Sequence, residues 1–185
     1  MNSDSILSFL DKQEVLEIIF PVAYAQYHFN SPPPETEDMP FHFIEVESGI
    51  KIGCRFFKVS KRFPTILYFH GNGETVLDQD WLAVYYLSRG MNFFAADYRG
   101  YGVSDGKPTI TNLFHDCREI YRGFKKMINE EGYNPAYFVM GRSLGSISAI
   151  ETAYHYQSEI KGLIVESGAA GNFAFIQRYL NPFEM

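Results

Sequence analysis

From Thr65 onwards, short runs of consecutive apolar residues alternate with longer stretches of helical composition. This alternation constrains the fold more than any other feature of the 185 residues. The runs are Thr65 to Phe69, Asn92 to Ala96, Tyr137 to Met140 and Gly162 to Val165. Strands that are apolar on both faces must be covered on both faces, and helices between them indicate a parallel sheet. Helices are predicted at 74–89, 110–131 and 144–157, with Gly90 and Gly132 where a helix C-cap is followed by glycine. Upstream, Phe41 to Glu47 alternates apolar and polar side chains. Ser48-Gly49 makes a turn and Ile50 to Val59 forms a second strand, so a hairpin is expected. The fold class is α/β: a mainly parallel sheet with helices on both faces and an N-terminal antiparallel hairpin.

Residues 3–20 read as a helix with an apolar stripe of Leu7, Leu10, Val15, Leu16, Ile18 and Ile19, capped by Asp4 or Ser5. Ser31-Pro32-Pro33-Pro34-Glu35 is an extended connector. The chain therefore divides into a helical extension with a proline-rich connector, 1–40, and a domain from 41 to 185. A net charge of -6 argues against nucleic acid as a partner. Cys54 and Cys117 make neither a disulfide framework nor a zinc site. They are expected to be reduced, half-buried thiols, as inside a cell. No segment reaches the roughly 18 consecutive apolar residues of a membrane span, and no secretory signal is evident. The expected location is cytoplasmic.

The loops at the C-terminal ends of parallel strands are where open α/β sheets place their chemistry. After strand 137–140 comes Gly141-Arg142-Ser143-Leu144-Gly145, a G-x-S-x-G between strand and helix. A sharp turn of this kind holds the serine in a strained backbone conformation, and the flanking glycines avoid clashes. The Ser143 hydroxyl then projects above the sheet at a helix N-terminus, where the dipole favours developing negative charge. After strand 65–69 comes His70-Gly71-Asn72-Gly73. Acyl transfer needs two N–H donors for the oxyanion: Leu144, the residue after the nucleophile, and Asn72 of this loop. The glycines on either side of Asn72 let the backbone approach a substrate. His70 is preferred as a packing or hydrogen-bonding residue over a catalytic one. Asp97-Tyr98-Arg99-Gly100-Tyr101-Gly102-Val103-Ser104-Asp105-Gly106 shapes the site and ties strands together, and no chemistry is assigned to it.

These three motifs, in this order and at these spacings, resemble the α/β-hydrolases, in particular serine hydrolases carrying H-G-N-G, D-x-R-G-x-G-x-S-x-G and G-x-S-x-G. The resemblance covers roughly residues 41–180. It implies a nucleophile at Ser143, oxyanion donors at Asn72 and Leu144, and a site shaped by His70, Gly71, Gly73, Gly141 and Gly145. It also implies a small ester-like substrate, with thioesters and amides as further classes, and no metal or organic cofactor.

The family completes its triad after the serine, first with an acid and then with a histidine. Of His28, His42, His70, His115 and His155, only His155 follows Ser143. It lies on the helix that starts at the serine, about 18 Å along the axis at 1.5 Å per residue, too far to act as base. Glu166, after strand 162–165, is a weak candidate for the acid; capping the next helix or bracing the loop is the favoured role. Three readings follow: a truncated hydrolase, one half of a split enzyme completed by a C-terminal chain, or a non-catalytic binding module. Truncation ranks first, because strand 162–165 would otherwise be an exposed apolar edge.

Overall fold

The computed structural model describes residues 8–24 and 40–168. Asp4, Ser5, Leu7 and the proline run lie outside the described residues. The elements are α1 (Gln13–Ile19), α2 (Pro21–Tyr24), β1 (Phe41–Glu47), β2 (Ile50–Phe57), β3 (Thr65–Phe69), a 3₁₀ turn (Val76–Asp78), α3 (Asp80–Leu87), β4 (Asn92–Ala96), α4 (Ile110–Glu130), β5 (Tyr137–Arg142), α5 (Gly145–Tyr156) and β6 (Ile160–Glu166). The six strands form one sheet in the order β1-β2-β4-β3-β5-β6. The hairpin β1–β2 joins it antiparallel through β4, and β4, β3, β5 and β6 run parallel. The α/β sheet predicted above is thus present, with the hairpin in the same sheet as β5.

Side-chain alternation along the strands divides the core in two. Ile52, Cys54, Leu67, Phe69, Phe94, Ala96 and Val139 face one way and pack with α1, α4 and α5. Phe57, Ile66, Tyr68, Phe93, Ala95 and Met140 face the other way and pack with Leu82 and Ala83 of α3. The direction of winding explains this distribution. From β3 the chain steps to β4 on one side, then returns past β3 to β5 on the other. Crossovers of one hand then place α3 and α4 on opposite faces. Helix α4 meets the sheet through Leu113, Cys117, Ile120, Tyr121, Phe124 and Ile128, a stripe at helical spacing.

Three expectations are corrected. The helix expected at 74–89 is a 3₁₀ turn followed by the shorter α3. Thr75 and Asp78 bond each other's backbone in a capping box, which satisfies the first N–H groups locally and restarts the helix at Asp80. In the N-terminal stripe, helix is interrupted at Asp11 and Lys12, and Ile18 is exposed while Leu10, Val15, Leu16 and Phe20 are buried. The break frees the Asp11 carboxylate to accept from the N–H groups of Ile110 and Thr111, capping α4. The cysteines are fully buried rather than half-buried. Burial pushes the Cys117 thiol up to about 12 and the Cys54 thiol well above its ordinary value, so both are unreactive.

Thr65 opens β3 and is fully buried, yet its hydroxyl has no partner among the described residues. An unsatisfied buried hydroxyl costs free energy, whereas a methyl of the same shape does not. Thr65→Val is therefore expected to stabilise the protein by about 1 kcal/mol. A urea midpoint equal to or below that of the wild type would refute this.

Candidate active site

Strands β3 and β5 are parallel neighbours, with Phe69 opposite Gly141. The loops that leave their C-terminal ends are therefore side by side. Ser143 follows β5 at φ 48°, in the left-handed region that non-glycine residues seldom enter. It is exposed. Its N–H donates to the carbonyl of Glu166 at 2.9 Å, and its carbonyl accepts from Ser146 N–H at 3.0 Å and Ser146 Oγ at 2.6 Å. These bonds hold the turn in a conformation that costs about 1–2 kcal/mol.

The two glycines of the motif have distinct steric reasons. A Cβ on Gly141 would lie 2.3 Å from the Gly145 carbonyl oxygen, within the turn itself. A Cβ on Gly145 would lie 2.1 Å from the carbonyl oxygen of Phe69. The start of α5 therefore touches the end of β3, and only glycine permits that approach. Leu144 is buried at the N-cap of α5.

In the neighbouring loop, Gly73 has φ 83°, which turns the chain back after Asn72. Among the described residues, the backbone N–H groups of Asn72 and Leu144 make no hydrogen bond. The Asn72 side chain is engaged on both atoms: Nδ2 donates to the Ile19 carbonyl at 2.6 Å, and Oδ1 accepts from Tyr101 Oη at 2.8 Å. Sequence reading assigned Asn72 for its backbone alone and gave no hint that α1 would sit over this loop.

His70 is fully buried. Its Nδ1 lies 2.8 Å from the Gly71 carbonyl and its Nε2 lies 3.0 Å from Asp97 Oδ1. With both ring nitrogens occupied, it is a brace beneath the loop. Asp97 Oδ1 also accepts from Val76 N–H at 2.8 Å, so the brace reaches the 3₁₀ turn. Arg99 donates to both oxygens of Asp116, at 2.6 and 2.8 Å, and to Glu47 at 2.8 Å. The loop after β4 is thus fastened to α4 and β1, consistent with the tying role expected of it.

The remaining histidines stand elsewhere. His42 of β1 packs its ring 6.3 Å from those of Phe56 and Phe94, and burial together with Lys58 holds it below its ordinary pKa. His115 on α4 pairs with Asp116, and His155 pairs with Glu151 one turn back on α5. His28 lies outside the described residues. Glu166 gives its backbone carbonyl to Ser143, while its carboxylate lies 3.2 Å from Arg142 Nε. Arg142 also donates to Glu74 at 3.1 Å. The spacing of the motifs did not reveal this Glu74–Arg142–Glu166 cluster; its signal lies only in the pairing of β5 with β6, Arg142 opposite Glu166.

Among the described residues, no group of three His, Cys, Asp or Glu side chains could hold a metal ion, and no helix is long and apolar enough to cross a membrane.

The sequence pattern of the family described as "Serine aminopeptidase, S33" matches residues 60–181. The chain is 31% identical over 130 residues to alpha/beta hydrolase domain-containing protein 17B of Homo sapiens, covering 67% of this chain and 43% of that protein. It spans less than half the length of the first curated relatives it matches. A predicted CIB-like hydrolase from Thermoplasma acidophilum superposes with a TM-score of 0.56 at 25% identity, over 70% of this chain and 63% of that one. The ferulic-acid complex of Est1E from Butyrivibrio proteoclasticus superposes with a TM-score of 0.62 at 23% identity, over 78% of this chain and 59% of that one, a likeness of fold. With the motif-bearing loops lying side by side on a sheet of this topology, the chain belongs to the serine aminopeptidase S33 family of the α/β-hydrolase superfamily.

Proposed function

We propose that this chain carries the nucleophile and oxyanion-binding part of a serine hydrolase acting on carboxylic esters. The observation that supports it most is Ser143 itself: exposed, at φ 48°, on a strand-to-helix turn held beside the His70–Gly73 loop. In the proposed step, Ser143 Oγ attacks the ester carbonyl carbon. A C–O bond forms, and the carbonyl π electrons move to oxygen, where Asn72 and Leu144 N–H groups receive the charge. Collapse expels the alkoxide and leaves an acyl-serine, which water then hydrolyses. Thioesters and amides would follow the same course.

The proton of Ser143 needs a base, and none of the described histidines is placed to take it. His70 is occupied on both nitrogens, and His115 and His155 pair with carboxylates of their own helices. Acid and base would then come from a C-terminal complementing piece. Among the described residues β6 pairs only with β5, and it exposes Leu163 and Val165, as a strand awaiting a neighbour would. The proposed location is cytoplasmic.

The test is hydrolysis of p-nitrophenyl acetate by the full chain. The oxyanion hole and binding alone are worth about 10³–10⁴ over water. A slow, saturable rate lost in Ser143→Ala is expected, together with phosphonylation of Ser143 by a fluorophosphonate. A rate that survives Ser143→Ala would refute the proposal. Rapid turnover would show that a base is already in place. A folded chain with neither rate nor labelling would point to a binding module.

A further inference from the structure

We infer that Arg142, the residue before the nucleophile, is a positioning residue that sets the distance between the Ser143 turn and the oxyanion loop. This rests on the reading of Ser143 as the nucleophile. The side chain joins three segments at the C-terminal edge of the sheet. It donates from a terminal nitrogen to Glu74 Oε1 at 3.1 Å, and its Nε lies 3.2 Å from Glu166 Oε2, poorly aligned for a hydrogen bond. Glu74 in turn receives Gly71 N–H at 3.2 Å and Gln79 Nε2 at 3.3 Å on its other oxygen. The path from the nucleophile turn to the oxyanion loop is therefore Arg142, Glu74, Gly71, and it ends one residue from Asn72. On the other side, Glu166 holds Arg142 through its carboxylate and Ser143 through its carbonyl.

The guanidinium is fixed in the remaining directions by rings. Its carbon lies 5.2 Å from the Trp81 ring centre and 5.9 Å from that of Tyr68. This explains why Trp81 is left 60% exposed on α3: it covers an ion cluster rather than the core. Arginine suits the position because its planar fork can address two carboxylates at once, whereas lysine offers one point charge. Burial alone would raise the Glu74 carboxyl, but its bonds to Arg142, Gly71 and Gln79 outweigh that and hold it below its ordinary value. The clamp is complete above the unfolded pKa of Glu74 and is lost as pH falls through the lowered folded value.

Misplacing reacting groups by about 1 Å can cost about 100-fold in rate. Arg142→Ala is therefore expected to lower kcat for p-nitrophenyl acetate by about 10- to 100-fold with KM within about twofold. Glu74→Gln should lower it in the same direction, and Arg142→Lys should restore part of it. In the same variants, amide exchange at Gly71 should accelerate. The Glu74 carboxyl, followed by carbon NMR, should titrate higher in Arg142→Ala than in the wild type. The two proposals fail separately. Activity insensitive to Ser143→Ala removes the nucleophile reading and this one with it. Activity lost in Ser143→Ala but unchanged in folded Arg142→Ala and Glu74→Gln removes the clamp alone. Unchanged Gly71 exchange together with an unmoved Glu74 titration also overturns the clamp, even if no ester turnover is measurable.

Discussion

Gly145→Ala should lower stability by about 3 kcal/mol, at the upper end of what overpacking costs, and leave much of the chain unfolded at moderate urea. The added methyl would lie 2.1 Å from the Phe69 carbonyl oxygen and 2.6 Å from the His70 carbonyl oxygen, both backbone atoms. No rotamer change relieves that overlap, so α5 must move away from β3 as a body. Interiors packed at crystal density resist such a shift. The measurement is the urea midpoint by far-UV circular dichroism, alongside Gly132→Ala as a control. Gly132 has φ 72° but nothing within 4 Å of its would-be Cβ, so that variant carries backbone strain without overlap. If Gly145→Ala loses no more than Gly132→Ala, the close approach of α5 to β3 is not what the glycine is for.

Asp116→Ala is expected to cost about 3–5 kcal/mol. Arg99 and Asp116 are both buried, and the guanidinium binds both carboxylate oxygens. Among the described residues, removing the carboxylate leaves the buried cation with only the largely exposed Glu47 as partner. The loss comes mainly from that stranded charge rather than from the strength of the pair. The double variant Arg99→Met with Asp116→Leu should accordingly recover much of the loss. Equal destabilisation of the single and double variants would show that packing, not the unpaired charge, sets the cost.

The parts of the fold legible in the sequence were those where burial dictates composition. Thr65–Phe69 and Asn92–Ala96 are buried at every position, and the apolar residues that follow Thr65 and Asn92 mark these strands. Helix α4 was legible through its long stretch of helical composition and the Gly132 that follows it. The segment 74–89 was misread because its apolar content is high all round, which hides the interruption at Gln79. The T-x-x-D capping signature, Thr75 to Asp78, was the available signal. In the candidate site, the nucleophile turn was legible because its steric demands fall on adjacent residues. The ties that hold it were not. Asn72 to Ile19, Glu74 to Arg142 and Arg99 to Asp116 join residues 53, 68 and 17 positions apart. Only the packing of helices and strands into the fold brings such partners together, and a single sequence does not state it.

The cap that Asp11 provides for α4 has a consequence for the order of synthesis. Asp11 and Ile110 are 99 residues apart. At about 5–20 residues per second, translation needs about 5–20 s to supply the second after the first. Through that interval Leu10, Val15, Leu16 and Phe20, all buried in the folded protein, have no α4 to pack against. This segment, made well before α4, is therefore among the last to find its place. It is in that period, rather than after folding, that the apolar side chains of this segment lie uncovered by α4.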